Sequence, residues 1–288
     1  MIMPRNAPPP VPTGTRLLGE VITWSCSGTA VRHPDLVSAL AAAGLDAGVA
    51  RELAPRHAFT RACRKLSDRR VIRAVAEDAA AVTFQFTAES RAGDAYEYTL
   101  ETRLKLDKKS GGVTCDLPGL ATLAQDELDR CVAARTGADV TRVVQKLFDR
   151  HADLFPVREK GGCYFVPAEH TPFVDKIQGF LGRLNGRVAR FPVPAGTPDG
   201  DRSVQDAVAA GLAAVIADYR QAVAGFAADT RPSTVAKAAE KIRTTKFKVE
   251  AYAAYLADGR DRLERDLAEA QAELRAKVDA LAADPVPV

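Results

Sequence analysis

The chain has 288 residues, 47% of them apolar, with a formal net charge of +3. That length supplies two domains with real cores, and the apolar share excludes wholesale disorder. Charge is concentrated locally: Arg51 to Arg73 carries eight Lys/Arg against only Glu52 and Asp68. Five widely spaced cysteines, Cys26, Cys63, Cys115, Cys131 and Cys163, form no C-x-x-C pair. They argue against a zinc module or disulfide scaffold and fit a reducing cytoplasm. The opening MIMPRNAPPPVPTGTR lacks an apolar h-region, and no run of about 18 apolar residues follows, so neither a secretory signal nor a membrane span is expected.

Residues 1–16 read as a flexible, Pro-rich tail. In LLGEVITWSC, 17–26, the alternation predicts a first strand anchored by Trp24. A short helix follows from Asp35 to Ala43, with Gly44 where a C-cap belongs, and Asp46 caps a second through Leu53. Pro55 opens a third helix that places Ala58, Phe59, Ala62, Cys63 and Leu66 on one face. Its opposite face carries Arg56, His57, Thr60, Arg61, Arg64 and Lys65. Three short helices with tight turns predict a helix-turn-helix-like unit. Strands then alternate over Val71–Val75, Ala81–Ala88 and Asp94–Leu106, the last placing Tyr96, Tyr98, Leu100, Thr102, Leu104 and Leu106 on one face, with turns at Gly93 and at Lys108–Gly112. Helices followed by a hairpin give a winged-helix-like order, so residues 17–117 are expected to combine these helices with a small antiparallel sheet.

Residues 118–194 read as a second mixed α/β module. Helices at Leu120–Arg135 and Asp139–His151 are broken by Thr136-Gly137, and a hairpin with Glu159, Lys160, Gly161 and Gly162 at its tip follows. Another helix, Thr171–Leu184, leads into a strand, Arg187–Val193. The shift to PAGTPDGDR marks residues 195–203 as a linker. Residues 204–288 then read as a long helical hairpin: Val204–Ala228, a turn, and one helix over Thr234–Ala282. Ile242, Val249, Leu256, Leu263 and Ala270 recur every seven residues, joined by Leu267, Leu274 and Leu281, a coiled-coil seam. The expected fold class is α+β throughout.

Signals for catalysis are sparse. The histidines His33, His57, His151 and His170 fall in no metal-binding frame, and no phosphate-binding glycine loop occurs. Ser25-Cys26-Ser27-Gly28 lacks the G-x-S-x-G frame, so Cys26 reads as a small buried residue. A non-enzymatic protein without cofactor or metal is expected. The candidate site is basic: Arg51, Arg56, Arg61, Arg64, Lys65, Arg69 and Arg70, with Lys108 and Lys109 at a hairpin turn. Such cations gain affinity for DNA or RNA by displacing counterions from phosphates. The alternative is a solvated face, its arginines paired to Asp68, Glu77 or Asp78. Residues 204–282 are expected to self-associate or to take a partner helix. An adaptor recruited through that coiled coil is the other reading, and an enzyme with a dispersed site stays open.

The signature TWSCSG with Trp24, followed by LVSALAAAGLD and RHAFTRACRKL, resembles an uncharacterised family of bacterial and phage proteins over residues 18–200. The resemblance implies no established activity and supplies no catalytic residues. Its association with mobile DNA favours work on nucleic acid.

Overall fold

A computed structural model of the chain describes residues 16–68, 70–92, 95–158, 161–227, 229–256 and 259–283. Most of the expected Pro-rich tail, Arg69, the turn at Gly93 and the tip residues Glu159 and Lys160 lie outside the described residues.

In chain order the elements are β1 (Leu17–Ser25), β2 (Ala30–Arg32), α1 (His33–Ala42), a 3-10 turn (Ala47–Val49), α2 (Pro55–Lys65), β3 (Arg70–Glu77), β4 (Ala81–Ala92), β5 (Ala95–Asp107) and β6 (Val113–Thr114). They continue with α3 (Pro118–Ala133), β7 (Ala134–Thr136), α4 (Gly137–His151), β8 (Phe155–Pro156), β9 (Tyr164–Pro167), α5 (Thr171–Arg183) and β10 (Arg187–Pro194). Four helices close the chain: α6 (Pro198–Ala224), α7 (Pro232–Ala251), α8 (Ala253–Leu256) and α9 (Arg260–Ala283). The fold is α+β with small antiparallel sheets and C-terminal helices. Proline stands in the first turn of α1, α2, α3, α6 and α7, where its missing N–H costs nothing.

Three expectations change. The second short helix shrinks to one 3-10 turn, although Asp46 caps it as expected by accepting from the Gly48 N–H at 2.8 Å. The expected linker 195–203 runs into α6, because Pro198 opens that helix and Asp199 and Asp201 face its N-terminal dipole. The single long tail helix is broken into α7, α8 and α9, with Tyr252 capping α7.

The chain divides into two compact units. The hairpin unit holds Ser25–Leu147 and Lys176–Arg187; the tail unit holds Met1–Trp24, Phe148–Asp175 and Val188–Val288.

In the hairpin unit, β3-β4-β5-β6 form an antiparallel sheet in that order. Alternation buries Val82, Phe84 and Phe86 of β4 and Leu104 and Leu106 of β5. Ala58, Phe59, Ala62 and Cys63 of α2 and Ala124, Leu128 and Cys131 of α3 join them in one core. Phe59 meets Phe84 edge-on at 5.5 Å. β2 and β7 pair as a separate two-stranded ribbon. Where β7 hands over to α4, a Cβ on Gly137 would collide with the Cys26 carbonyl, so only glycine allows this approach.

In the tail unit the sheet order is β10-β1-β9-β8. Glu20 on β1 is buried, and Arg190 on β10 grips it with two hydrogen bonds of 2.5 and 2.8 Å. Phe155 and Phe165 from this sheet enter a core with Val208, Leu212, Ile216 and Tyr219 of α6. Ile242, Val249, Leu256, Leu263 and Ala270, the heptad positions, are all buried in that same core. The seam therefore packs inside its own unit. By length and composition α6 would also suffice to cross a membrane, but Val204, Val208, Leu212, Ile216, Tyr219 and Val223 are buried within the tail unit.

Candidate nucleic-acid interface

Helix α2 forms as its pattern predicts, its apolar face fully buried. Its basic side meets carboxylates that lie far away in sequence. Arg61 clamps Asp139 with two hydrogen bonds of 2.6 and 2.8 Å. Burial would raise the Asp139 carboxyl, but the Arg61 and Thr136 donors outweigh it and hold the group down at about 2. Lys65 pairs with Glu127, which also accepts from Arg130 at 2.7 Å; Lys65 is the main cause of that carboxyl's lowering. Arg56 (2.6 Å) and Lys108 (2.9 Å) share Glu77, lowering it chiefly through the Lys108 hydrogen bond. Arg70 grips Glu101 at 2.5 and 2.8 Å, depressing that carboxyl as well.

Five of the nine candidate cations, Arg56, Arg61, Lys65, Arg70 and Lys108, are thus committed to internal pairs. Arg51, Arg64 and Lys109 are exposed and lack ion pairs among the described residues, and Arg69 lies outside them. Of the carboxylates expected to neutralise this helix, Glu77 does so, while Asp139 and Glu127 come from beyond any local window. No spacing rule could have found them.

The outer face of the β3–β4–β5 sheet holds an arrangement the sequence did not single out. Cross-strand partners share a face, and the register aligns Arg73 with Gln85 and Gln85 with Arg103. One step toward the sheet's base stands Lys105, opposite Thr83. A bulge between Phe86 and Thr87 admits Glu101 as an extra residue, and beyond it Leu100 faces Thr87 and Tyr98 faces Glu89. Tyr96 and Tyr98 are each 58% exposed, Leu100 51% and Val75 48%. Arg73 and Arg103 are exposed without ion pairs among the described residues. Lys105 lies near Asp78 and Asp107, whose oxygens already accept backbone N–H groups in turns. Unbroken alternation over Asp94–Leu106 would put Tyr96, Tyr98 and Leu100 on one face with the buried Leu104 and Leu106; the extra residue at the bulge moves the first three to the opposite face.

Among the described residues no group of three or more His, Cys, Asp or Glu comes together as a metal site. Cys26 is buried, and burial pushes its thiol up, as it pushes Cys63 up to about 12; neither is a ready nucleophile. In the tail unit, Asp153 accepts from the Tyr252 hydroxyl at 2.6 Å and from Lys248. His170 Nε2 lies 3.1 Å from that hydroxyl. The phenol's single proton points to Asp153, so Nε2 donates to the phenol oxygen. Burial opposes the charge on Asp153, yet these donors hold its carboxyl well below the usual range. Asp153 is thus surrounded by Tyr252, Lys248 and, at 3.8 Å, His170.

No curated protein and no solved structure matches this chain. Residues 17–285 match one family, a longer stretch than the resemblance expected for 18–200. Covering nearly the whole chain, that match places the protein in a family of unknown function, DUF6744.

Proposed function

We propose that this protein binds nucleic acid, mainly through backbone phosphates, and that the outer face of the β3–β4–β5 sheet makes the contact. The observation that carries this reading is the co-location of Arg73, Arg103 and Lys105 with uncovered Tyr96, Tyr98 and Leu100 on one face. Cations there face solvent, whereas Arg56, Arg61 and Lys65 of α2 spend their charge on Glu77, Asp139 and Glu127. The order α1, α2, then a long hairpin supports a winged-helix-like arrangement in which an enlarged wing replaces the recognition helix as the contacting element.

The test is anisotropy binding to random DNA and RNA across a salt series. Three phosphate contacts give a log–log slope of about −2 to −3. The triple variant R73A/R103A/K105A is expected to flatten that slope and abolish most binding, while an R51A/R64A/K109A variant keeps both. The opposite pattern would move the site, and no binding at about 50 mM salt would remove the function.

A second reading, an adaptor or self-associating tail, draws on one feature. A cleft of about 710 Å³ between α7 and α9 is lined by Ile242, Leu274 and Val278, with Phe247 exposed at its edge. A change in mass by light scattering between the parent and Phe247→Ser would favour it.

A further inference from the structure

We infer that the sheet face selects single-stranded nucleic acid, stacking bases on Tyr96 and Tyr98 while the backbone passes Arg73, Arg103 and Lys105. The inference rests on the nucleic-acid reading above and adds the strand state of the ligand.

Ring spacing is the first argument. Tyr96 and Tyr98 stand two residues apart on one face of β5, which separates them by about 7 Å along the strand. Successive bases of a duplex strand rise by about 3.4 Å and are stacked on one another, offering only their edges to a protein. Two rings about 7 Å apart cannot enter that stack. They suit splayed bases, each of which presents a π-face to an aromatic side chain.

The second argument is the order of charges along the same face. Lys105 and Arg103 lie toward the base of the hairpin, then Leu100, and the tyrosines stand toward its tip. Glu89 faces Tyr98 across the strands, and its negative charge raises the Tyr98 phenol. Arg91 stands opposite Tyr96, so the two rings have one charge of each sign beside them, whereas Arg73, Arg103 and Lys105 gather toward the base. Phosphates are therefore favoured at the cationic end and bases at the aromatic end. Tyr96, Tyr98 and Leu100 sit beyond the part of the sheet that α2 and α3 cover, since every residue from Ala95 to Glu101 is exposed. An incoming strand would meet no helix there.

The decisive experiment uses the full chain and fluorescence anisotropy with four probes: a thymidine oligonucleotide about ten nucleotides long, its uridine counterpart, the same length as duplex, and an abasic oligomer of equal phosphate count. Both single strands should bind at least about tenfold tighter than the duplex and the abasic oligomer. Tyr96→Ala and Tyr98→Ala should each weaken single-strand binding by roughly 5- to 100-fold and leave abasic binding unchanged. The Phe variants should retain binding, and circular dichroism should show all four variants folded, since both rings are exposed. Equal affinity for duplex or abasic probe, or full binding by the alanine variants, overturns single-strand selection and leaves phosphate contact standing. Failure to bind any probe overturns both. A difference between the thymidine and uridine arms separates DNA from RNA.

Discussion

Asp139 shows how one residue converts a surface charge into structure. It receives two hydrogen bonds from Arg61 and two from Thr136, and its side chain is 11% exposed. Its folded-state value of about 2 lies below the unfolded value of about 3.9. The depressed value means the stabilisation is fully present above about pH 4 and is lost as pH falls toward 2. Its size is at most about 2.6 kcal/mol. Asp139→Asn should therefore lower stability at pH 7 and flatten the acid limb between about pH 4 and 2, measured by urea unfolding. An unchanged acid limb would show that the pair contributes nothing. Arg64→Ala, which breaks no pair, should change stability by less than about 0.5 kcal/mol.

At the scale of elements, close approach decides which glycines matter. A Cβ at Gly137 would strike the Cys26 carbonyl, and one at Gly19 would strike the Val166 carbonyl and come within 2.8 Å of the Phe165 ring. Gly137→Ala and Gly19→Ala should each cost about 1–3 kcal/mol in thermal or urea unfolding. Gly179, within α5 and with open space at its Cβ position, is the control. Alanine there should stabilise by about 0.5–1 kcal/mol. The sequence marked Thr136-Gly137 as a break between helices, which it is, but the break contains strand β7 and a backbone contact to residue 26. Local pattern showed that the helix stopped; the reason lay 111 positions upstream.

For the molecule as a whole, the tail is the clearest instance of one pattern with two outcomes. Heptad spacing equally serves an intermolecular coiled coil and a helix folded against its own core. Here Tyr252 ends α7, meets Phe155 edge-on at 5.2 Å and hydrogen-bonds Asp153, so the chain turns and α9 returns along α6 and α7. Leu256→Ala, at a fully buried heptad position, should cost about 2–5 kcal/mol without altering the mass seen by light scattering. A mass change at intact stability would instead place that seam between chains.

The sequence by itself determined the class of fold, most of its helices and strands, the buried face of α2 and the alternation of β4. Those features are set by spacing within a dozen residues, which is the reach of helical and strand periodicity. Which charges remain available was decided only by the tertiary structure. Arg56, Arg61 and Lys65 looked alike with Arg64 in sequence, yet the fold brings Glu77, Asp139 and Glu127 to the first three and leaves the fourth in solvent. The same holds for the sheet: unbroken alternation put Tyr96, Tyr98 and Leu100 on one face with Leu104 and Leu106, and the bulge at Glu101 turned the first three to the opposite face, beyond the part that α2 and α3 cover. Pairing and coverage depend on segments distant in the chain, and no local pattern records them.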